Sequence, residues 1–88
     1  MTYSVRLGSR AGRELQKLPR EILVRIDRQI TALAENPRSP GCKKLRSRTP
    51  DAWRVRVSDY RILYEIDDTR HEVRIYRISH RRDVYDRT

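Results

Sequence analysis

Polar and apolar residues alternate at the start of the chain, with Tyr3, Val5 and Leu7 on one side of an extended segment and Ser4 and Arg6 on the other. A period of two predicts a strand over residues 2–7. The period then lengthens. Ala11, Leu15 and Leu18 recur at i, i+4 and i+7, the spacing of a short helix, with Ser9 placed to cap its start and Pro19 to stop it. A second helix is predicted from about residue 20 to 35, burying Leu23, Ile26, Ile30 and Leu33 and leaving Arg25, Arg28 and Gln29 in water. Asn36-Pro37 ends it, because the residue before a proline is pushed out of helical conformation.

Residues 37–50, PRSPGCKKLRSRTP, mix helix and strand breakers with basic side chains and read as a loop with at most a short strand around Leu45. Three strand-like runs follow at 52–57, 60–66 and 72–79, separated by Ser58-Asp59 and by Asp67-Asp68-Thr69-Arg70 as hairpin turns. The expected architecture is α/β of the α+β kind: an N-terminal strand, a helical hairpin, then a three-stranded antiparallel meander, with the helices on one face of the sheet. At 88 residues the chain is expected to form a single domain spanning 1–88.

The Ser58-Asp59 turn fixes a register. Val57 faces Tyr60, Arg56 faces Arg61, Val55 faces Ile62, Arg54 faces Leu63 and Trp53 faces Tyr64. The apolar and aromatic members then lie under the helices, while Arg54, Arg56 and Arg61 share the other face, where Arg61 is expected to be exposed. Opposed like charges on a hairpin are destabilising. The pair therefore reads as a seat for an anion, unless Glu65, Asp59 or a counter-ion relieves the repulsion.

Charge adds to this picture. The chain has 21 basic against 12 acidic residues, net +9. Only Lys17, Lys43 and Lys44 are lysine; the other basic residues are arginine, whose planar fork suits phosphate and stacks on bases. Nucleic acid is the partner this bias favours, ahead of an acidic protein or a merely solvated surface. The excess is uneven: residues 1–48 carry twelve basic and four acidic residues, whereas 49–88 carry nine and eight. A site in the second half must rest on how its arginines are placed.

No segment approaches the ~20 apolar residues of a membrane span. The opening MTYSVR lacks the apolar stretch of a signal peptide, so a cytoplasmic protein is expected. Cys42, the single cysteine, excludes an internal disulfide and reads as a structural or incidental thiol. No carboxylate cluster suggests a metal, and no cofactor is expected.

The chain ends ISHRRDVYDRT, so His80, Arg81, Arg82 and Tyr85 follow the last strand, where they could fold back beside the arginine face. An imidazole, two guanidiniums and an aromatic ring are parts suited to gripping an RNA backbone. Arg82 joins the loop residues Lys43, Lys44, Arg46 and Arg48 as candidate RNA contacts.

Several segments together carry a family resemblance: KLP at 17–19, NPR at 36–38, KKL at 43–45, WRVRVSDYRILYEI at 53–66 and ISHRRDVY at 78–85. Over nearly its whole length the chain resembles the RelE/ParE superfamily of bacterial toxins, and its SDYR core and HRxxVY-like ending resemble the RelE branch of ribosome-dependent mRNA interferases. The resemblance implies a compact RNase-like two-layer fold, cleavage of mRNA in the ribosomal A site, and neutralisation by a cognate acidic antitoxin. It places catalytic positions at Arg54, Arg56, Arg61, Arg81 and Tyr85, with His80 as an additional proton-transfer group. The best-known members have lysines at the positions of Arg54 and Arg56. Arginine stays protonated and is a poor general base. A ParE-type toxin that binds DNA gyrase is the alternative, and a plain RNA-binding module a third.

Overall fold

The computed structural model describes residues 2–45 and 52–80. The elements are β1 (Ser4–Leu7), α1 (Ser9–Gln16), α2 (Arg20–Glu35), β2 (Cys42–Lys44), β3 (Ala52–Val57), β4 (Tyr60–Asp67) and β5 (Glu72–His80). One five-stranded sheet has the order β1-β5-β4-β3-β2. The hairpin pairs are antiparallel, and β1 joins β5 in parallel at the edge. The two helices pack on one face, α1 over β5 and β1, α2 over β1 and β3.

The first helix begins one residue earlier than the Ser9 cap expected. Gly8 is the N-cap, because its carbonyl accepts the first helical bond from the Gly12 N–H (2.9 Å), and no side chain caps the end. Pro19 does not terminate α1, which closes at Gln16; it stands as the N-cap of α2, where its missing N–H costs nothing. In α2, Ile26 and Leu33 are fully buried with Ile22 and Ile30 packed beside them, whereas Leu23 is 36% exposed. At about 100° per residue, Leu23 stands about 60° around the helix from Ile26 and Ile22 only about 40° on the other side. The apolar stripe therefore runs through Ile22, and Leu23 and Val24 face outward.

The core is the layer between sheet and helices, formed by Val55, Val57, Ile62, Tyr64, Ile66, Val73, Ile75 and Ile78 against Ala11, Ile26 and Leu33. Tyr64 has no exposed surface, and its hydroxyl donates to the Pro37 carbonyl at 2.6 Å. Burial pushes its pKa up. The short strand is Cys42–Lys44, not centred on Leu45, and the Leu45 N–H still bonds the Ala52 carbonyl at 2.9 Å.

The β4–β5 ladder contains a bulge. Leu63 pairs with Arg77 but Tyr64 with Ile75, so Tyr76 is an extra residue. Glu14 of α1 pins this point: its carboxylate accepts the Ile78 N–H at 2.7 Å and lies 3.5 Å from Arg77 Nε. The bulge shifts the alternation by one, carrying Ile78 into the core and Ser79 to the opposite face.

At the far end of the sheet a clamp ties the α2–β2 loop to the β4–β5 turn. Arg38 donates to Asp68 through Nη1 (3.1 Å) and Nη2 (2.8 Å), and the Tyr3 hydroxyl donates to the same carboxylate at 2.7 Å. Tyr3 stacks on His71 with ring centres 5.3 Å apart, and Arg38 lies 5.6 Å from the centre of the Trp53 ring. Arg38, and secondarily Tyr3, hold the Asp68 pKa down from 3.8 to about 2.

Two outcomes follow. Tyr64→Phe leaves the Pro37 carbonyl without its buried donor and should lower unfolding free energy by about 1–2 kcal/mol in urea melts at neutral pH. Because the Asp68 pKa is depressed on folding, its contribution is complete above pH ~4 and lost as pH falls toward 2. Asp68→Asn should therefore lower the urea midpoint at pH 7 and flatten its fall between pH 4 and 2; a wild-type slope in that window would contradict the clamp.

Candidate functional site

The side of the sheet away from the helices carries the cations. The β3–β4 register places Arg56 opposite Arg61 and Arg54 opposite Leu63, and the β2–β3 register adds Lys43 opposite Arg54. Two adjacent like-charge pairs thus sit on one face, at the end bearing the Ser58-Asp59 turn. That turn has a positive φ of 55° at Ser58. The sequence offered at most a short strand around Leu45 with no register, so the Lys43–Arg54 pairing was not visible in it.

Arg61 is only 5% exposed, in contrast to the exposed position expected from its hairpin alone. It lies on β4, the middle strand of five, between Arg56 of β3 and Ser79 of β5, and Leu63 is buried on the same face, so this part of the face is less open than a hairpin alone would leave it. Arg56 is exposed and Arg54 half-buried.

The sheet holds a second pair for comparison. Arg6 faces Arg74 across β1 and β5, but Glu72 bridges them, at 3.2 Å from Arg6 Nε and 3.4 Å from Arg74 Nη2. Glu65 also stands opposite Arg74 and beside Tyr76, whose pKa is raised by burial first and by the Glu65 charge second. Among the described residues the strand partners in register are Lys43 and Leu63 for Arg54, Arg61 for Arg56, and Arg56 and Ser79 for Arg61. Glu65 is four residues from Arg61, about 13 Å along the strand, too far to relieve that pair directly. The face is polarised, basic at the β3–β4 turn and acidic at the β4–β5 turn. At the acidic end Glu65, Asp67, Asp68, Glu72 and Arg74 line a hollow of about 380 Å³.

Two of the predicted residues are placed elsewhere. His80 pairs with Tyr60, shares its face on the helix side, and meets its ring edge-on at 5.2 Å. It therefore does not join the arginine face: the bulge at Tyr76 exchanged it for Ser79. Lys44 pairs with Trp53 and is likewise turned to the helix side of the edge strand. Arg46, Arg48, Arg81, Arg82 and Tyr85 lie outside the described residues. The exchange of Ser79 for His80 had a signal in the sequence, since the apolar spacing Val73, Ile75, Ile78 departs from period two.

Chemically, the face offers charge and hydrogen-bond donors. Guanidiniums and an ammonium can grip phosphate oxygens and stabilise developing negative charge, but none is a ready base at neutral pH. Among the described residues no group of three or more His, Cys, Asp and Glu could hold a metal ion, and no helix is long and apolar enough to cross a membrane.

The chain matches, over residues 5–85, the family described as the ParE toxin of type II toxin-antitoxin system, parDE. It is 39% identical to Toxin RelG of Mycobacterium tuberculosis over 88 residues, 99% of this chain and all of that protein. The chain belongs to the RelE/ParE superfamily of type II toxins. Among solved structures it is similar to the toxin–antitoxin complex RelBE2 of M. tuberculosis, with a TM-score of 0.81, 34% identity, and coverage of 91% of this chain and 99% of that one. The archaeal RelE–RelB complex of Pyrococcus horikoshii gives a TM-score of 0.80 at 27% identity, covering 92% and 97%. Both the fold and the RelE branch named by these relatives agree with the resemblance carried by the 53–66 and 78–85 segments.

The two arginine pairs should respond oppositely to truncation. Arg56→Ala removes the exposed member of the opposed pair and should leave stability equal or higher by a few tenths of a kcal/mol. Arg74→Ala removes a cation bridged by Glu72 and should lower stability by a similar amount. Calorimetry of both variants at low salt checks the sign.

Proposed function

We propose that this toxin is a ribosome-dependent endoribonuclease that cleaves mRNA in the A site. The observation that carries the reading is the pairing of Lys43 with Arg54 and of Arg56 with Arg61 on one face, a concentration of cations that folding alone disfavours. The reaction is attack of a ribose 2′-hydroxyl on the adjacent phosphate, with the 5′-oxygen leaving and a 2′,3′-cyclic phosphate remaining. Arg56 and Arg61 stabilise the charge that accumulates on the phosphorane oxygens, while Arg54 and Lys43 hold the neighbouring backbone. Of the candidate acids for the leaving oxygen, Arg81 is favoured over His80, since His80 faces the helix side with Tyr60. Tyr85 would orient the nucleotide. With no general base among the described residues of the face, in-line geometry imposed by the ribosome supplies much of the rate.

The partner is a cognate antitoxin, as the RelBE2 and RelE–RelB complexes suggest by analogy. A chain of net +9 should be met by an acidic, amphipathic segment that covers the arginine face or the C-terminal region around Tyr85. Association should be fast and slow steeply with added salt.

The deciding experiment incubates the purified protein with translating ribosomes and maps mRNA 5′ ends. Ordered cuts within codons, reduced about 10²-fold or more by Arg56→Ala or Arg81→Ala and little by His80→Gln, are expected. Inhibition of gyrase supercoiling without cuts would establish the ParE-type alternative instead. Neither outcome would leave an RNA-binding module.

A further inference from the structure

A buried hydroxyl stands beside Arg61. Ser79 faces it directly across the β4–β5 ladder, which sets the two Cβ atoms about 5 Å apart. Ser79 is 3% exposed, and its Oγ has no hydrogen-bond partner. An orphaned buried hydroxyl is unfavourable beside an alanine of the same outline, so its presence calls for a role other than folding. Arg56, Arg61 and Ser79 form one row across the three central strands. The two ends of that row act on the Arg61 guanidinium in opposite senses: the Arg56 cation repels it, while the Ser79 oxygen is an acceptor that attracts it.

We propose that Ser79 is a positioning residue for Arg61, its Oγ accepting a hydrogen bond from the guanidinium when a phosphate seats on the arginine face. A guanidinium has five N–H donors, so it can give one to Ser79 and still present two in parallel to phosphate oxygens. The hydroxyl itself need not touch RNA. It keeps the fork from swinging when Arg56 and the anion compete for it, and the bulge at Tyr76 is what delivers it to this face. The identity of the ligand as an RNA backbone rests on the proposed function; the coupling of Ser79 to Arg61 does not.

The probe is a trinucleotide carrying 2′-O-methyl groups, which has no nucleophile and cannot be cut. Titration is followed through the Arg61 side-chain Nε–H resonance. Ser79→Ala should weaken binding about tenfold, the scale of one hydrogen bond to a charged group, with a melting temperature equal or higher. Ser79→Thr, which keeps the oxygen, should restore both the affinity and the shift of the Arg61 signal. Wild-type affinity in Ser79→Ala overturns the proposal, as does a loss that Ser79→Thr does not restore, or a wild-type chain that binds no trinucleotide. Ribosomal cleavage is measured separately. A chain that binds in a Ser79-dependent way but makes no cuts leaves the positioning role standing and removes the nuclease reading.

Discussion

The two-residue connection between β3 and β4 is the constraint on which the site depends. With Ser58 and Asp59 as the whole loop, every pair from Val57–Tyr60 to Ala52–Glu65 is set, and side chains alternate strictly between two environments. A slip of one residue would exchange Val55 and Ile62 for the arginines and place guanidiniums under α2. The buried apolar side chains on the helix face forbid that slip. The core therefore holds the arginines in opposition even though their mutual repulsion works against it.

A second device acts on β5. The extra residue at Tyr76 reverses the alternation between Ile75 and Ile78, and Glu14 secures it by taking the Ile78 N–H and lying close to Arg77. Without the bulge, His80 would stand among the arginines and Ser79 would face the core. One inserted residue thus decides whether the row beside Arg61 ends in a titratable imidazole or in a small hydroxyl. In the hydroxyl arrangement the row holds two guanidiniums and a neutral hydroxyl.

Much of this was legible in the sequence because it follows from short-range rules. The bounds of α2 and β3, the Ser58-Asp59 turn and the pairing of Arg56 with Arg61 all come from periodicity and breakers. What escaped the sequence needed the strand order. The burial of Arg61 is a tertiary property that its hairpin does not reveal, and Lys43 joins the face only because three residues among prolines and a glycine pair with β3. The parallel seat of β1 beside β5 is a contact between the two ends of the chain, which local patterning does not encode. The sequence reading placed Leu23 in the buried stripe, whereas Ile22 packs there and Leu23 faces outward once α2 docks on the sheet.

The paired charges and the candidate site occupy opposite ends of the same sheet. At the β4–β5 turn, opposite charges are satisfied: Glu72 bridges Arg6 and Arg74, and Asp68 takes the Arg38 fork and the Tyr3 hydroxyl. At the β3–β4 turn, like charges face one another and a buried hydroxyl has no partner. Under the proposed function such a gradient would suit a polyanion: a phosphate seated where Arg56 and Arg61 face one another would lessen their repulsion as well as make new contacts. An acidic antitoxin segment lying on the same face would relieve the same repulsion, so antitoxin and RNA would compete for one source of binding energy, and protection from either should report on occupancy of the other.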